Sequence, residues 1–390
     1  MPARLAIVCT HPIQYNAPVF ASLAQQSDVA VRVFYGWRGA SESAFDHGFG
    51  QQISWDIPLL DGYDATFVTN VAQQPGSHHF RGIDLPSLVS EIRQWQADAV
   101  LVYGWRYKAH LHAMRQFKGE IPVLFRGDST LLDERLGVKT WLRRRVLRWV
   151  YRHVDRALYV GTNNRAYFRA HGLRDDQLVF APHAVDNERF ANDCDYRDRA
   201  LALREQLGIG ADDVVVLFAG KLEPKKSPDL LLRSFAALAR TNVHLVIAGS
   251  GVLEAPLKAK APGNVHFLGF QNQSQMPTAY YLADLVTLPS QGPNETWGLA
   301  LNEAMACGRA VLASDRVGAA VDLIRPGENG WIFASGNESA LTLCLRQAVE
   351  MGREGLARMG RASKAIIEEW SIPKQVAAIV STVSSIASYD

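Results

Sequence analysis

Short apolar runs alternate with helical stretches in the first half of the chain, and this alternation is typical of a parallel α/β sheet. The first apolar run leads into a loop that contains His11. The fourth run ends at Arg126, two residues before Asp128. Because ligands bind at the carboxyl ends of parallel strands, these three side chains are predicted to share one functional edge. The predicted strands are residues 5–9, 29–35, 99–103, 123–126 and 157–160.

A second alternation of the same kind begins at residue 214 and predicts a second α/β domain. Its strands are expected at 214–219, 244–248, 265–268, 285–288 and 310–313. The chain is therefore predicted to form two Rossmann-like domains that face each other across a cleft. The first domain spans 1–190, a polar linker spans 191–211 with a short helix expected near 200–207, and the second domain spans 212–370. A last helix, within 371–390, is expected to cross back to the first domain.

Composition and charge agree with two soluble globular domains. A chain of 390 residues exceeds one typical core, and a net charge of +2 does not suggest nucleic-acid binding. The four cysteines are scattered without a CxxC pair or metal-ligand spacing, which predicts reduced thiols and no metal site. The apolar run at the N-terminus is too short for a signal peptide or a membrane span, so a cytoplasmic location is expected.

The stretch from residue 36 to 84 has little regular periodicity and is rich in glycine, aromatic residues and histidine. A connection this long inside a compact domain is usually a binding loop. We interpret it either as a segment that recognises a substrate or as an insertion in the fold without a functional role. His47, His78 and His79 lie within it without ligand spacing, so they predict no metal site.

Residues 141–152 form a basic helical stretch that contains Trp141 and Trp149. A helix of this kind can lie on an anionic membrane surface. The alternative is that both tryptophans face the sheet while the arginines are solvated.

One stretch, residues 289–308, carries two carboxylates eight positions apart, Glu295 and Glu303. The apolar run before it predicts a buried strand, and the pattern after Gly298 predicts a helix that ends at Gly308. Free amides at such a helix start attract a phosphate, and carboxylates accept hydrogen bonds from hydroxyl groups. These residues therefore suggest a site for a phosphate and a sugar.

Together with Gly220-Lys221 and Lys226, this stretch resembles the family 4 glycosyltransferases, which are retaining enzymes of the GT-B fold. The resemblance rests on the Glu-x7-Glu pattern and on the Glu-Ala-Met-Ala-Cys-Gly that trails it. Weaker matches lie at Gly249-Ser250-Gly251, at residues 265–269 and 182–190, and around Trp370. They cover most of the second domain and the tail, while the first domain matches mainly in its α/β layout.

The resemblance implies a nucleotide-sugar between the domains, with its nucleotide on the second domain. It assigns the ribose hydroxyls to Glu303 and the donor sugar to Glu295. Lys221 and Lys226 would neutralise the departing diphosphate. No cofactor and no metal is implied. The remaining donor-binding positions would be Trp297, Gly298 and Leu299, whose amides meet the diphosphate, with Gly220 and Gly249.

The implied reaction moves a sugar, with retention at the anomeric carbon, from a nucleoside-diphosphate sugar to an acceptor hydroxyl. UDP and GDP are the nucleotides to test as the carrier of the donor sugar. The acceptor would be a glycan, a lipid-linked molecule or a small molecule, in the synthesis of polysaccharide, lipopolysaccharide or another glycoconjugate. Four positions depart from the family pattern: Lys221 stands where arginine is usual, Thr10-His11-Pro12 replaces a Gly-rich loop, Arg126 replaces a histidine, and His183 replaces an asparagine.

Other interpretations stay open at this point. The chain could bind a sugar nucleotide without turnover, or it could be a GT-B epimerase or phosphorylase. Single residues also have structural alternatives: Glu295 and the lysines could lie in exposed loops, and Asp128 could cap the next helix. A dinucleotide dehydrogenase is disfavoured, because no Gly-x-Gly-x-x-Gly follows either first strand.

Overall fold

The computed structural model describes residues 2–39, 44–46, 48–135, 137–191 and 193–387. The chain divides into two compact units. The first unit comprises Met1–Ala44, Ile53–His183 and Ile372–Asp390, and the second comprises Phe45–Gln52 and Ala184–Ser371.

The first unit is built on a seven-stranded parallel sheet, with the strand order β5-β2-β1-β6-β7-β8-β9. Its strands are β1 (Ala3–Cys9), β2 (Val29–Tyr35), β5 (Asp64–Phe67), β6 (Ala99–Tyr103), β7 (Val123–Arg126), β8 (Arg156–Tyr159) and β9 (Leu178–Phe180). Its helices are α1 (Ala17–Ala24), α2 (Leu88–Gln94), α3 (Lys108–Phe117), α4 (Val138–Tyr151), α5 (Thr162–Ala170) and α14 (Ile372–Ala387). A two-stranded hairpin of β3 (Ala44–Asp46) and β4 (Gln51–Ile53) lies between β2 and β5 in the chain.

Apolar side chains cover both faces of this sheet. In β1, Leu5 and Ile7 belong to one core cluster, and Ala6 and Val8 belong to another on the opposite face. The first cluster includes three side chains of α14, Val376, Ile379 and Val383. The last helix therefore packs on the first unit, as the sequence predicts.

The second unit contains a six-stranded parallel sheet, with the strand order β12-β11-β10-β13-β14-β15. Its strands are β10 (Val214–Ala219), β11 (Val243–Ala248), β12 (Val265–Gly269), β13 (Leu285–Leu288), β14 (Ala310–Ser314) and β15 (Gly330–Phe333). Its helices are α6 (Asn187–Ala191), α7 (Asp193–Gln206), α8 (Pro228–Ala236), α9 (Glu254–Lys258), α10 (Met276–Leu282), α11 (Ala300–Ala306), α12 (Ala320–Leu323) and α13 (Glu338–Ile367). Every strand expected from the sequence is present, within two residues at each end.

The boundary between the units differs from the sequence expectation. Residues 191–211 are not a linker, because α7 occupies most of them and belongs to the second unit. Arg204 in α7 is buried and donates hydrogen bonds to the carbonyls of Gly210 and Asp213, while the ring of Tyr196 stacks on Tyr281 at 6.0 Å. The polar composition that suggests a linker is explained by the exposed charged side chains of this helix.

The hairpin segment Phe45–Gln52 also departs from the expected division, since it clusters with the second unit rather than with the first. Among the described residues, no helix is long and apolar enough to cross a membrane.

Candidate functional site

The loop between β13 and α11 lies at the carboxyl edge of the second sheet, where ligands of parallel sheets bind. Backbone contacts with the segment after β14 fix this loop: the Gly318 amide donates to the Glu295 carbonyl at 3.2 Å, and the Ala319 amide donates to the Trp297 carbonyl at 2.9 Å. A Cβ at Gly318 would lie 1.8 Å from the Thr296 carbonyl oxygen, so only glycine permits this close approach. The loop is therefore a rigid part of the site.

Glu295 is a buried carboxylate, with 7% of the residue exposed, and it is not the exposed loop residue of the alternative interpretation. Its Oε2 lies 2.5 Å from Lys226 Nζ and accepts a hydrogen bond from the Ser290 hydroxyl at 3.0 Å. Removing one partner from such a pair leaves a buried charge without compensation, which is strongly destabilising. The ion pair therefore keeps the side chains of Glu295 and Lys226 together at the carboxyl edge of the sheet.

Lys226 reaches Glu295 from a different loop. It ends a short 3-10 turn, Pro224–Lys226, that follows β10, and β10 is the neighbour of β13 in the sheet. The two loops are also joined through their backbones, because the Gln291 amide donates to the Lys225 carbonyl at 2.8 Å. The structure thus brings Glu295 and Lys226 together from positions that are separate in the sequence.

Glu303 lies in the first turn of α11 and is 4% exposed. Its Oε2 accepts a hydrogen bond from the Tyr280 hydroxyl at 2.6 Å, and the Tyr280 ring packs edge-on against Phe190. The burial of this carboxylate therefore has a partner within the fold and does not by itself require a ligand. Its assignment to a ribose stays a prediction.

Trp297 and Gly298 are buried beside the two glutamates, and Leu299 is half-buried at the start of α11. The Trp297 indole donates to the Asn302 side chain at 2.8 Å, which ties the loop to the helix. Gly298 has a φ of 98°, and a Cβ there would lie 2.7 Å from Val317 Cγ1. This glycine is therefore needed for the turn that precedes α11.

Lys221 and two glycines follow the ends of β10 and β11. A Cβ on Gly249 would lie 1.9 Å from the carbonyl oxygen of Gly220, so only glycine at position 249 permits this close packing of the two strand ends. Lys221 Nζ lies 2.7 Å from Asp46 Oδ1 and 3.0 Å from Oδ2, with the Phe49 ring 4.8 Å away. The sequence interpretation missed Asp46 and Phe49, although both lie in the aperiodic stretch that it marks as a binding loop.

In the first unit the structure gives Arg126 a structural position. It is 4% exposed, and its guanidinium donates to the carbonyls of Ala181 and Pro182 at 2.8 and 3.0 Å. These bonds tie the end of β7 to the segment that follows β9.

Asp128 does not cap the next helix, because the N-cap of α4 is Gly137. Whether these residues bind an acceptor stays a prediction.

Two histidines of the first unit are neutral at pH 7. Burial, with the neighbouring Arg126, lowers the pKa of His183 to about 4, and Asp128 opposes the shift. Burial likewise lowers the pKa of His11 to about 4. His11 lies beside the Thr10 hydroxyl, 2.8 Å from Nδ1, and its ring centroid is 5.3 Å from that of Trp37.

Comparison with known proteins identifies the second unit. Residues 201–365 match the family model described as glycosyl transferases group 1, and this range contains Lys221, Lys226, Glu295 and Glu303. The second unit is therefore similar to this family over those residues. The resemblance to the family 4 glycosyltransferases that the sequence predicts is thereby confirmed.

One curated protein that matches this chain in sequence is itself a glycosyltransferase. The D-inositol 3-phosphate glycosyltransferase of Geodermatophilus obscurus is 33% identical over 234 residues, which are 56% of this chain and 50% of the relative. The chain spans half or less of the length of the first curated relatives it matches.

Solved structures extend the likeness to the whole chain at the level of fold. HepE from Anabaena in complex with UDP is 20% identical with a TM-score of 0.75, over 99% of this chain and 100% of that one. A glycosyltransferase from Rickettsia africae is 13% identical with a TM-score of 0.76, over 100% of both chains. The GT-B fold is therefore confirmed.

The lowered pKa values predict how the stability of this glycosyltransferase fold depends on pH. In the unfolded chain an ordinary histidine has a pKa of about 6.5. Between about pH 6.5 and 4 the unfolded chain therefore binds more protons at His11 and His183 than the folded one, and the free energy of unfolding falls as the pH falls. His183→Asn should reduce this slope by up to about 1.4 kcal/mol per pH unit.

Urea unfolding at several pH values measures the slope, and His112→Asn, which changes an exposed histidine of α3, is the matched control. An unchanged slope in His183→Asn would contradict the neutral state of His183 in the folded protein.

Proposed function

We propose that this chain is a retaining glycosyltransferase that moves a sugar from a nucleoside-diphosphate sugar to an acceptor hydroxyl. The observation that carries the proposal is the ion pair between the buried Glu295 and the half-buried Lys226 at the carboxyl edge of the second sheet. It lies in the segment that matches the glycosyltransferase family model, with Glu303 on the helix that follows.

The donor is proposed to carry UDP or GDP. The structure of HepE, which has a similar fold, has been solved with UDP and with UDP-glucose, and this makes UDP the first nucleotide to test. Glu303 would accept hydrogen bonds from the ribose hydroxyls, since an ionised carboxylate offers acceptors only. Glu295 would contact hydroxyls of the donor sugar while it stays paired with Lys226.

In the proposed reaction, the bond between the anomeric carbon and the diphosphate oxygen breaks as the acceptor oxygen bonds to the same face of that carbon. The acceptor proton passes to the departing phosphate oxygen, so no strong protein base is required. Negative charge grows on the diphosphate, and Lys221 and Lys226 are the cations that would stabilise it. Because these ammonium groups carry that role, the proposal needs neither a metal nor a cofactor.

The acceptor is proposed to bind to the first unit, near the strand ends that carry His11 and Asp128. Arg126 would position this edge through its bonds to the carbonyls of Ala181 and Pro182 rather than contact the acceptor. The proposed acceptor class is a glycan, a lipid-linked molecule or a small molecule in polysaccharide or glycoconjugate synthesis.

Nucleotide binding tests the donor site. UDP or GDP should raise the melting temperature of the wild-type protein, because a ligand that binds only the folded state stabilises it. Glu303→Ala should abolish the rise, since it removes the proposed ribose contact. Glu354→Ala, which changes an exposed carboxylate of α13, is the matched control and should keep it.

No shift with UDP, GDP or ADP in the wild type would overturn the donor site. A shift of equal size in Glu303→Ala would overturn the ribose assignment alone.

We also propose that α4 contacts the cytoplasmic face of an anionic membrane. The helix turns Leu147, Val150 and Tyr151 into the core, so its tryptophans are not needed there. Trp141 is 56% exposed and Leu142 is 52% exposed, and the Arg145 guanidinium lies 5.1 Å from the Trp141 ring. An exposed apolar and aromatic surface among arginines fits the interface of a membrane with acidic lipids.

Cosedimentation with vesicles tests this contact. The wild type should sediment with vesicles of phosphatidylcholine and phosphatidylglycerol, and Leu142→Glu should reduce the bound fraction by about tenfold, because it places a charge in the apolar contact. Leu201→Glu changes a leucine that is 58% exposed on α7 and should bind like the wild type. Equal binding by both variants, or no binding by the wild type, would contradict the proposal.

A further inference from the structure

The hairpin segment Phe45–Gln52, here called the cap, sits on the second unit although the chain around it belongs to the first. It contacts residues that lie one or two positions after the ends of three neighbouring strands. Lys221 follows β10, Ser250 follows β11 and donates to the Phe49 carbonyl at 3.1 Å, and Phe270 follows β12. The cap therefore lies at the carboxyl ends of β10, β11 and β12, which are part of the edge that is proposed to receive the donor.

Aromatic packing holds the cap in place. The rings of Phe49 and Phe270 meet edge-on with centroids 4.9 Å apart, and Phe49 also lies over the Lys221 ammonium. A Cβ on Gly251 would come within 3.0 Å of the Gly48 carbonyl oxygen, so the turn after β11 approaches the cap as closely as its backbone allows. This fit makes the cap a defined contact of the second unit.

Asp46 places a carboxylate on the lysine that is proposed to bind the diphosphate. Its Oδ1 accepts hydrogen bonds from Lys221 Nζ at 2.7 Å and from the amides of Gly48 and Phe49 at 2.8 and 3.1 Å. Burial raises the pKa of Asp46, but the bonds from Lys221 and the two amides outweigh this and lower it, so the carboxylate is ionised at pH 7. An ammonium group and consecutive amides are also the donors that bind a phosphate oxygen.

We propose that Asp46 is an internal competitor of the donor diphosphate: its carboxylate occupies Lys221 until the nucleotide-sugar displaces it and the cap moves away. The proposal rests on the proposed function of Lys221 as a diphosphate ligand. Asp46 thereby becomes a residue that sets donor affinity without taking part in the chemistry.

The partial exposure of the Asp46–Lys221 pair makes this exchange accessible. Both side chains are 32% exposed, and pairs in that range contribute little net stability. A diphosphate carries more negative charge than a carboxylate and would bind the same ammonium more strongly. Two anions on one ammonium repel each other, so the donor and Asp46 exclude one another.

Binding measurements on charge-neutral variants test the competition. Asp46→Asn keeps an oxygen that can accept from the Gly48 and Phe49 amides but removes the negative charge, so it should bind UDP or GDP about tenfold more tightly than the wild type. Asp212→Asn, an exposed aspartate beside the opposite end of β10, makes the same charge change and should leave the affinity unchanged. Isothermal titration of UDP, GDP and ADP into each variant gives the dissociation constants.

Lys221→Ala completes a double-mutant cycle. The gain from Asp46→Asn should vanish in the Lys221→Ala background, because the two changes act through one ammonium group. Hydrogen exchange gives a second readout: adding the nucleotide should speed exchange of the Gly48 and Phe49 amides as the cap leaves.

Weaker or equal binding by Asp46→Asn would overturn the inference, and so would unchanged or slower amide exchange in the cap on adding the nucleotide. A wild type that binds none of the three nucleotides would overturn the proposed function itself, which is a distinct result.

Discussion

The second unit depends on the ion pair between Glu295 and Lys226. The pair joins the loops that follow β13 and β10, which are neighbours in the sheet, and both side chains lie largely out of water. Because the buried Glu295 carboxylate would lack a compensating charge without Lys226, the pair limits how far apart these loops can be. The contacts of Gln291 with Lys225 and of Gly318 with Glu295 then hold the backbone on either side of it.

Both lysines of the proposed donor site are paired with carboxylates. The Glu295 side chain is 6% exposed and that of Lys226 is 21% exposed, whereas Lys221 and Asp46 are each 32% exposed. The less exposed pair is expected to be the costlier one to break. The more exposed pair is the one proposed to exchange its carboxylate for a phosphate.

Much of the fold could be predicted from the sequence because parallel strands buried on both faces are continuous apolar runs. The runs at 214–219 and 285–288 predict β10 and β13 to the residue. The linker at 191–211 was wrong because charged residues on the exposed face of a helix have the same composition as a linker. The short helix expected near 200–207 corresponds to the last part of α7, and the contacts of Arg204 and Tyr196 show that this helix packs within the second unit.

The candidate site was predictable where its residues are close together in the sequence, as in 289–308. Asp46 was not, because its partner Lys221 is 175 residues away and no local pattern encodes such a pairing. Arg126 shows the same limit. Its position at a strand end predicts a ligand contact, but no local pattern encodes the two hydrogen bonds that it donates to carbonyls 55 and 56 residues further along the chain.

The most direct test of the donor site is mass spectrometry of the products formed from a panel of nucleotide-sugars without an acceptor. The wild type should slowly hydrolyse at least one donor and release its nucleoside diphosphate. Glu295→Gln should lower that rate by about a hundredfold or more, because it removes the charge that holds Lys226 at the leaving group. Release of no nucleoside diphosphate from any donor, or an unchanged rate in Glu295→Gln, would contradict a glycosyltransferase centred on this pair.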